Sequence, residues 1–376
     1  MKKTLLLTSI VFLAACGSVE NEGNNTDGVE NDEGTENEGG TDTSEEADEN
    51  EENTAEGSDD PLAVYTSLYP YEFFAEEIGG GHVDVTNIVP IGADAHTFEP
   101  TANQMIDIAE GDLFIYNGAG YEGFVEAVTD AAANENTEML EVTEGMDLLS
   151  YDHDHAHEQE EDEHNNHGNH NESSSNDEGD NHAHDDNNHN DSENHEEDNH
   201  AGGEEDPHVW LDPVKAAEAA ENMKDKLTEL RPEQEEVFTE NFEALEEELL
   251  QLDESFQSMV DEADKNLIVV SHAGYGYWED RYGIEQLGIA GLSPSNEPSI
   301  QQVESTVERM ESEGVEYVMF EQNIPSDITE TVQEQTGAEG LDLHNLEALT
   351  EEDTASDENY FTLMESNLEA LRTALQ

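Results

Sequence analysis

The chain has 376 residues and is strongly acidic, with 97 Asp and Glu against 10 Lys and Arg and a formal net charge of -87. This composition excludes nucleic acid as a partner, because no basic patch is present to displace the counterions of a phosphate backbone. Only one cysteine is present, so an intrachain disulfide is excluded and the fold must depend on its hydrophobic core.

The first 16 residues are predicted to be a lipoprotein signal peptide. Lys2 and Lys3 form a basic start, and the apolar stretch 5–15 is too short to span a membrane as a mature helix. This stretch ends in a Leu-Ala-Ala-Cys segment that resembles a bacterial lipobox, which implies cleavage before Cys16 and lipidation of that residue. Lipid on Cys16 would anchor the chain to the outer face of a cell membrane, in an organism that we expect to be Gram-positive.

Residues 17–60 are predicted to form a disordered acidic tether. The segment contains no Lys or Arg and almost no apolar residue, so it cannot bury enough surface to offset the entropy of ordering. Like charges extend such a segment away from the membrane. The acidic excess continues beyond the tether. Acidic groups at this density repel one another in dilute buffer and are screened at high salt, which indicates a salt-adapted organism.

Residues 61–231 are predicted to form an N-terminal α/β lobe. Short apolar runs with strand character alternate with amphipathic helical patterns. The predicted strands are 62–68, 83–89 and 112–116, and the predicted helices are 71–78, 101–110 and 122–132. Alternation at this spacing is typical of a parallel sheet covered by helices.

This lobe is interrupted at 152–205 by a low-complexity insert that is predicted to be disordered without metal. Eleven of the 16 histidines lie in it, separated by Glu, Asp, Asn, Gly and Ser. Neutral imidazoles one residue apart can share an ion, so the insert is predicted to act in accessory metal capture. The alternative is a solvated spacer. The histidines with this close spacing are His153, His155, His157, His182 and His184.

Two long helical patterns, 214–230 and 232–264, lead into a second α/β lobe over 265–376. The second pattern is long enough to act as a rigid linking helix between lobes. In the second lobe the predicted strands are 267–271, 315–320 and 340–343, and the predicted helices are 275–282, 298–313, 324–336 and 359–375. The predicted fold class is therefore α/β, with two lobes of mostly parallel sheets joined by a long helix.

Three histidines outside the insert occupy positions suited to ligand binding. His96 lies in the loop after a predicted strand, and His272 ends another strand. His208 lies between two Asp-Pro corners, where proline stiffens the backbone. Ligands gather at the carboxyl ends of strands in open α/β sheets, so two such ends facing each other across a cleft could bring these side chains together. Three neutral imidazoles suit zinc, whereas manganese and calcium sites usually contain more oxygen ligands.

A fourth ligand is expected from the segment after the last short strand. Either His344 or Glu347 could supply it, and spacing alone does not choose between them. His82, behind three glycines, is predicted to be structural or exposed, and Glu99 to orient a ligand histidine. Three aromatic residues are predicted to pack the cleft: Trp210, Tyr275 and Tyr277.

Four segments, taken in order, resemble the zinc-specific substrate-binding proteins of ABC transporters, the ZnuA/AdcA type. They are Gly-Ala-Asp-Ala-His-Thr-Phe-Glu-Pro around His96, Asp-Pro-His-Val-Trp-Leu-Asp-Pro around His208, Ser-His-Ala-Gly-Tyr-Gly-Tyr from Ser271, and Asn-Leu-Glu-Ala-Leu-Thr around Glu347. The resemblance covers about 61–376 and implies two α/β lobes joined by a rigid helix, matched here to 232–264, with the metal between them. It also relates the insert to the zinc-associated loop of that family. A histidine at 344 departs from the family pattern.

The resemblance implies an extracytoplasmic lipoprotein, not an enzyme, that captures Zn²⁺ and delivers it to the membrane permease of an ABC importer. It implies His96 and His208 from the first lobe, and His272 and Glu347 from the second, as metal ligands in an expected monomer.

Three other functions are weighed against zinc capture. Manganese-binding relatives typically carry Glu where His272 stands, so a manganese or iron carrier is the first alternative. A zinc hydrolase would need an open coordination position, and nothing here resembles His-Glu-x-x-His. A surface adhesin is the third alternative, because an anchored acidic tether is compatible with that function.

Overall fold

A computed structural model describes residues 60–133, 135–151, 204–296 and 298–376. The predicted signal peptide with Cys16, nearly all of the tether 17–60 and most of the insert 152–205 lie outside these ranges, and their assignments stay predictions. The same holds for the accessory histidines His153, His155, His157, His182 and His184. All of the described residues fall within one unit, Glu56–Gln376.

The first lobe alternates strands and helices as the sequence predicts. Its elements are β1 (Leu62–Thr66), α1 (Tyr69–Gly79), β2 (Val83–Asn87), α2 (Ala102–Ala109), β3 (Leu113–Tyr116), α3 (Val125–Ala132) and β4 (Glu138–Glu141). The strands form one parallel sheet in the order β2-β1-β3-β4. The edge strand β4 is absent from the sequence-based prediction, because only Leu140 of its four residues is buried and the apolar signal is weak.

Two short strands stand at the base of the insert. β5 (Ser150–Tyr151) and β6 (Glu204–Glu205) pair antiparallel, with Ser150 opposite Glu205. This ladder brings the two ends of the insert together beside the segment that carries His208.

The two long helices are α4 (Pro213–Leu230) and α5 (Glu235–Glu262). The Asp212 side chain caps α4 by accepting hydrogen bonds from the amides of Val214 and Lys215. Helix α5 has 28 residues, about 42 Å at 1.5 Å per residue, and starts three residues later than predicted because Pro232–Gln234 forms a 3-10 turn. Its buried residues follow a three-four spacing along one face: Phe238, Phe242, Leu245, Leu249, Leu252, Phe256 and Met259.

Helix α5 contacts both lobes, as a linking helix must. At its first half, Asn241 donates a hydrogen bond to the carbonyl of Ile78 at the end of α1. Towards its second half, Asp253 accepts a hydrogen bond from the hydroxyl of Tyr282 in the second lobe.

The second lobe also alternates strands and helices, but its strands pair as two separate two-stranded ladders. Its elements are β7 (Leu267–Val270), α6 (Gly276–Tyr282), β8 (Glu285–Gly288), α7 (Ile300–Glu313), β9 (Tyr317–Glu321), α8 (Asp327–Thr336), β10 (Glu339–Leu343), α9 (Glu351–Ser356) and α10 (Tyr360–Ala374). Strand β7 pairs with β8, and β9 with β10, both in parallel. The Ser271 hydroxyl donates to the Met319 carbonyl and so holds the end of β7 against β9.

One hydrophobic core continues from the first sheet through α5 into the second lobe. It includes Val64 and Leu113 in the first sheet, Leu249 in α5, and Ile268 and Leu371 in the second lobe. The lobes are therefore joined by packing as well as by the chain. Within the part of the chain that the structure describes, no helix is both long enough and apolar enough to cross a bilayer.

Candidate metal centre

The structure brings together four of the predicted ligand residues, one from each of four separate segments. His96 lies in a 3-10 turn after β2, and His208 on the corner before α4. His272 lies just after β7, and Glu347 follows β10. One ligand atom from each lies within 4.8 Å of every other. The carboxyl ends of strands from both lobes thus meet at one point, as expected for an open α/β fold.

The distances between these atoms suit a single small cation. The Nε2 atoms of His208 and His272 are 3.2 Å apart, and Nε2 of His96 lies 3.1 Å from Oε1 of Glu347. The same Oε1 is 3.9 Å from Nε2 of His272. Donors at about 2.0–2.1 Å on a tetrahedron around zinc are separated by roughly 3.3 Å. The cluster is therefore close to the size of a tetrahedral zinc shell.

His208 is held by the carboxylate of Asp206. Oδ1 of Asp206 accepts from the His208 amide at 3.0 Å and lies 2.8 Å from Nδ1 of the His208 ring. Burial lowers the pKa of His208, against the opposing effect of Asp206. The imidazole is therefore neutral near pH 7, with Nδ1–H on Asp206 and the lone pair of Nε2 facing the cluster.

His272 is held by Glu321 at the end of β9, through a hydrogen bond from its amide and a close contact between its ring and the carboxylate. Oε1 of Glu321 accepts from the His272 amide at 3.0 Å, and Oε2 lies 2.5 Å from Nδ1 of the ring. Burial acts to lower the pKa of His272, but the carboxylates of Glu321 and Glu347 outweigh it and raise the pKa to about 9. A cation that enters the cluster must therefore displace a proton from His272 near neutral pH.

Glu347 is placed by the backbone on both sides of it. Leu346 has a φ of 61°, in the left-handed region that residues other than glycine rarely adopt. The Glu347 amide donates to Oδ1 of Asn345, and its carbonyl accepts from the Tyr69 amide in the first lobe. Burial acts to raise the pKa of Glu347, but the three histidines, His96 first, lower it to about 2. The carboxylate is therefore ionised.

His344, the other candidate for the fourth position, points to different partners. Its Nε2 lies 3.1 Å from Oδ2 of Asp353, and its Nδ1 accepts from the amide of Leu346 at 2.9 Å. The ring thus stabilises the left-handed turn that presents Glu347. Of the two alternatives left open by the sequence, Glu347 is the one that lies in the cluster.

The prediction that Glu99 orients a ligand histidine is wrong. Glu99 is exposed, and the carboxylates beside the outer nitrogens of His208 and His272 are those of Asp206 and Glu321. His82 is partly buried with its ring edge-on to Phe238, in agreement with a structural role.

The three aromatic residues predicted to pack the cleft are all buried, and two of them donate hydrogen bonds to backbone carbonyls of the other lobe. Nε1 of Trp210 donates to the Asn345 carbonyl at 2.8 Å, and the Tyr277 hydroxyl donates to the Asp206 carbonyl at 2.8 Å. Tyr275 is fully buried beside His272. They pack the cleft, as predicted.

Gly274 is a further requirement of the site that the sequence reasoning missed. A Cβ atom at this position would lie 2.6 Å from Nε2 of His272 and 3.3 Å from the His208 ring. A side chain there would displace two of the four candidate ligands.

Comparisons relate the chain to known proteins. The family model described as "Zinc-uptake complex component A periplasmic" (ZnuA) matches residues 64–374. The zinc-binding lipoprotein AdcA of Streptococcus pneumoniae R6 is 30% identical over 315 residues, 84% of this chain and 56% of that protein. This chain thus spans about half the length of AdcA. The high-affinity zinc uptake system protein ZnuA of Bacillus subtilis 168 is 28% identical over 324 residues, 86% of this chain and 91% of that protein. The crystal structure of the Zn(II)-bound ZnuA-like domain of Streptococcus pneumoniae AdcA matches with a TM-score of 0.63 and 28% identity, covering 84% of this chain and 99% of that domain.

Proposed function

The chain belongs to the ZnuA family of zinc-uptake components, and on that basis we propose that it captures Zn²⁺ outside the cytoplasm and delivers it to an ABC importer. The observation that carries this proposal is the convergence of His96, His208, His272 and Glu347, whose ligand atoms lie within 4.8 Å of one another. Zinc is the transported substrate in this account.

The donor set favours zinc over the other divalent ions that such a protein meets. Three imidazoles and one carboxylate form a shell of four, which zinc adopts readily. Manganese prefers more oxygen ligands and a higher coordination number, which supports zinc over the manganese or iron alternative. The carboxyl groups of Asp206, Glu321 and Glu347 lie at or directly behind the candidate ligands and would offset the charge of a dication in a site that is almost fully buried.

The same shell supports binding rather than catalysis. A catalytic zinc site has three protein ligands and keeps one position for water. Under this proposal Glu347 fills the fourth position beside His96, which would leave no coordination position for an attacking water.

We further propose that lipid on Cys16 anchors the chain at the membrane, where a permease would receive the ion. The Leu-Ala-Ala-Cys segment and the name of AdcA as a lipoprotein support the anchor. The ladder of β5 and β6 at the base of the insert supports a role for 152–205 in supplying zinc, since it ends three residues before His208. Such a supply would raise the local zinc concentration through many weak sites.

The test is a competition titration of the metal-free full chain against a chromophoric chelator, with zinc and with manganese. We expect one tight zinc site and much weaker manganese binding at that site. The control variant is His272→Glu, which introduces an oxygen ligand and is expected to shift preference towards manganese. Manganese binding as tight as zinc binding in the unmodified chain would refute the proposal.

A further inference from the structure

Asn117 directly follows β3 and lies behind the segment that carries His208. The residue is fully buried, and its amide group is hydrogen-bonded at both the nitrogen and the oxygen. Nδ2 donates to the carbonyls of Pro207 at 3.0 Å and of Gly118 at 3.1 Å, and Oδ1 accepts from the hydroxyl of Tyr71. Two neighbouring carbonyls can accept only from the NH₂ group, so the surroundings set the orientation of the amide.

The Pro207 carbonyl belongs to the tight turn that presents His208. The Val209 amide donates to this carbonyl at 2.9 Å, and His208 between them has φ −80° and ψ 42°. A bond from residue i+2 to residue i with these dihedrals describes an inverse γ-turn centred on His208. Asp206 fixes the His208 ring relative to this turn, but it lies on the same short segment. The bond from Asn117 fixes the turn relative to the first sheet.

Other side chains hold this segment from the second lobe. The Tyr277 hydroxyl donates to the Asp206 carbonyl at 2.8 Å, and Nε1 of Trp278 donates to the Leu211 carbonyl at 2.7 Å. The bond from Asn117 instead ties the segment to the lobe that carries His96.

The second donor bond of Asn117 supports His96. The Gly118 carbonyl accepts from Nδ2 of Asn117 and also from the Tyr121 amide at 3.0 Å, which closes the turn before Tyr121. The ring of Tyr121 then lies with its centroid 4.6 Å from that of His96. One amide group therefore supports both candidate ligands of the first lobe.

The backbone of Asn117 is itself held on both sides. Its amide donates to Oε1 of Glu122 at 2.7 Å, and its carbonyl accepts from the Thr143 hydroxyl at 2.7 Å. The Ser67 hydroxyl, after the end of β1, donates to the same Glu122 oxygen at 2.6 Å. The ends of β1, β3 and β4 are thus tied together around Asn117, which makes it a rigid point of attachment.

We propose that Asn117 is a positioning residue for the metal centre, whose side-chain amide holds His96 and His208 in the relative placement that zinc requires before the ion binds. The inference rests on the proposed zinc capture and deepens it. The two rings already lie with their centroids 5.5 Å apart. A site whose ligands are held in place in advance loses less freedom on binding, and this gain appears as affinity.

The experiment removes both donors of Asn117 while the interior stays filled. In the double variant Tyr71→Phe/Asn117→Leu the hydroxyl and the amide are lost together, and the two carbonyls keep their backbone donors. Replacement of both partners by apolar groups of similar shape is nearly neutral for stability. Asn117→Ala is the second variant, in which water can enter the vacated space and bond to the freed groups. Urea unfolding of the metal-free full chains verifies the fold.

Two controls separate positioning from stability. Tyr71→Phe alone leaves both donor bonds of Asn117 in place. Asn222→Leu removes a bond of the same kind in the same lobe, from Nδ2 to the Val142 carbonyl at 2.8 Å. Zinc affinity is measured by chelator competition, and visible absorption is recorded with Co²⁺ at full occupancy. The cobalt bands report the geometry of the shell, which a loss of fold stability alone does not change.

We expect both Asn117 variants to bind zinc about tenfold more weakly, the order expected when a side chain must be ordered on binding, and to change the cobalt bands. Both controls should stay within twofold of the unmodified chain, with unchanged bands. Zinc affinity within twofold and unaltered bands in a folded Asn117 variant, or equal changes in Asn222→Leu, would overturn the inference and leave zinc capture intact. Failure of both Asn117 variants to fold would also overturn it, because the residue would then serve folding rather than ligand placement. Weak zinc binding by the unmodified chain would instead overturn the proposed function.

Discussion

Asp206→Asn tests whether the carboxylate behind His208 contributes to metal binding. Oδ1 of Asp206 accepts hydrogen bonds from the amide of His208 at 3.0 Å and from its ring Nδ1–H at 2.8 Å. Asparagine keeps the shape but removes the charge. Its amide group can also turn its NH₂ towards the ring, which would favour the tautomer with Nε2 protonated and so without a lone pair for the metal.

The expected magnitude follows from this one contact. A hydrogen bond to a charged group contributes about 1.5–3 kcal/mol, which corresponds to roughly 10–100-fold in affinity. Loss of a carboxylate behind a metal-ligating histidine typically lowers metal affinity over the same range. We therefore expect Asp206→Asn to weaken zinc binding by about 10–100-fold, as measured by chelator competition at fixed pH and salt.

Asp212→Asn is the matched control, because it makes the same change four residues after the ligand. Asp212 caps α4 and pairs with Nε of Arg281 at 2.6 Å, without contact to a candidate ligand. Asparagine retains the cap but removes the ion pair with Arg281, so this variant should lose some stability in urea. It should keep its zinc affinity. Zinc affinity within twofold of the unmodified chain in Asp206→Asn, or an equal loss in both variants, would refute the reasoning.

Four further predictions follow, three from the structure and one from the sequence of the insert. His344→Asn should retain zinc affinity within about threefold, because the asparagine oxygen can replace the acceptor for Leu346. Glu347→Gln should lower zinc affinity by more than roughly 100-fold, the upper end of the loss expected for residues that only hold a ligand in place. A larger loss of zinc affinity in His344→Asn than in Glu347→Gln, measured by chelator competition, would show that the fourth ligand is misassigned. Glu72→Gln should stabilise the chain at pH 7.5 by about 2 kcal/mol in urea unfolding. Burial, and then Glu76, raise the pKa of Glu72 to about 6, so the folded state favours the protonated carboxyl. The stability of the unmodified chain therefore falls as pH rises through 6. The stability gained by Glu72→Gln should accordingly shrink towards pH 5. A gain independent of pH would contradict this. Deletion of 153–200 should lower the total number of bound zinc ions and uptake at scarce zinc while keeping one tight site; calorimetry that shows loss of the tight site would contradict the proposed division of labour.

The alternation of strands and helices and the three histidines at strand ends could be predicted because both depend on local patterns. Periodicity defined the buried face of α5, and the strand ends limited where ligands can gather. Asp206 could also have been found locally, since an Asp that accepts from the amide two residues later forms a recognisable turn with His208.

Other parts of the site depend on contacts between distant segments. Glu321 lies 49 residues from His272 and reaches it only because β9 lies beside β7, which no local pattern encodes. The choice between His344 and Glu347 depended on the left-handed Leu346, a conformation for which the leucine side chain gives no signal. Strand β8 and helix α9 are short and mostly not buried, so their apolar signal was too weak to predict them.

X-ray absorption at the zinc edge, on the full chain loaded with one equivalent of zinc, tests the central claim most directly. The account predicts four light donors at about 2.0–2.1 Å, three of them with the scattering pattern of imidazole, and loss of one imidazole in His208→Ala. A six-coordinate, oxygen-rich shell, or a shell that His208→Ala leaves unchanged, would contradict the convergence of these four side chains on one zinc ion.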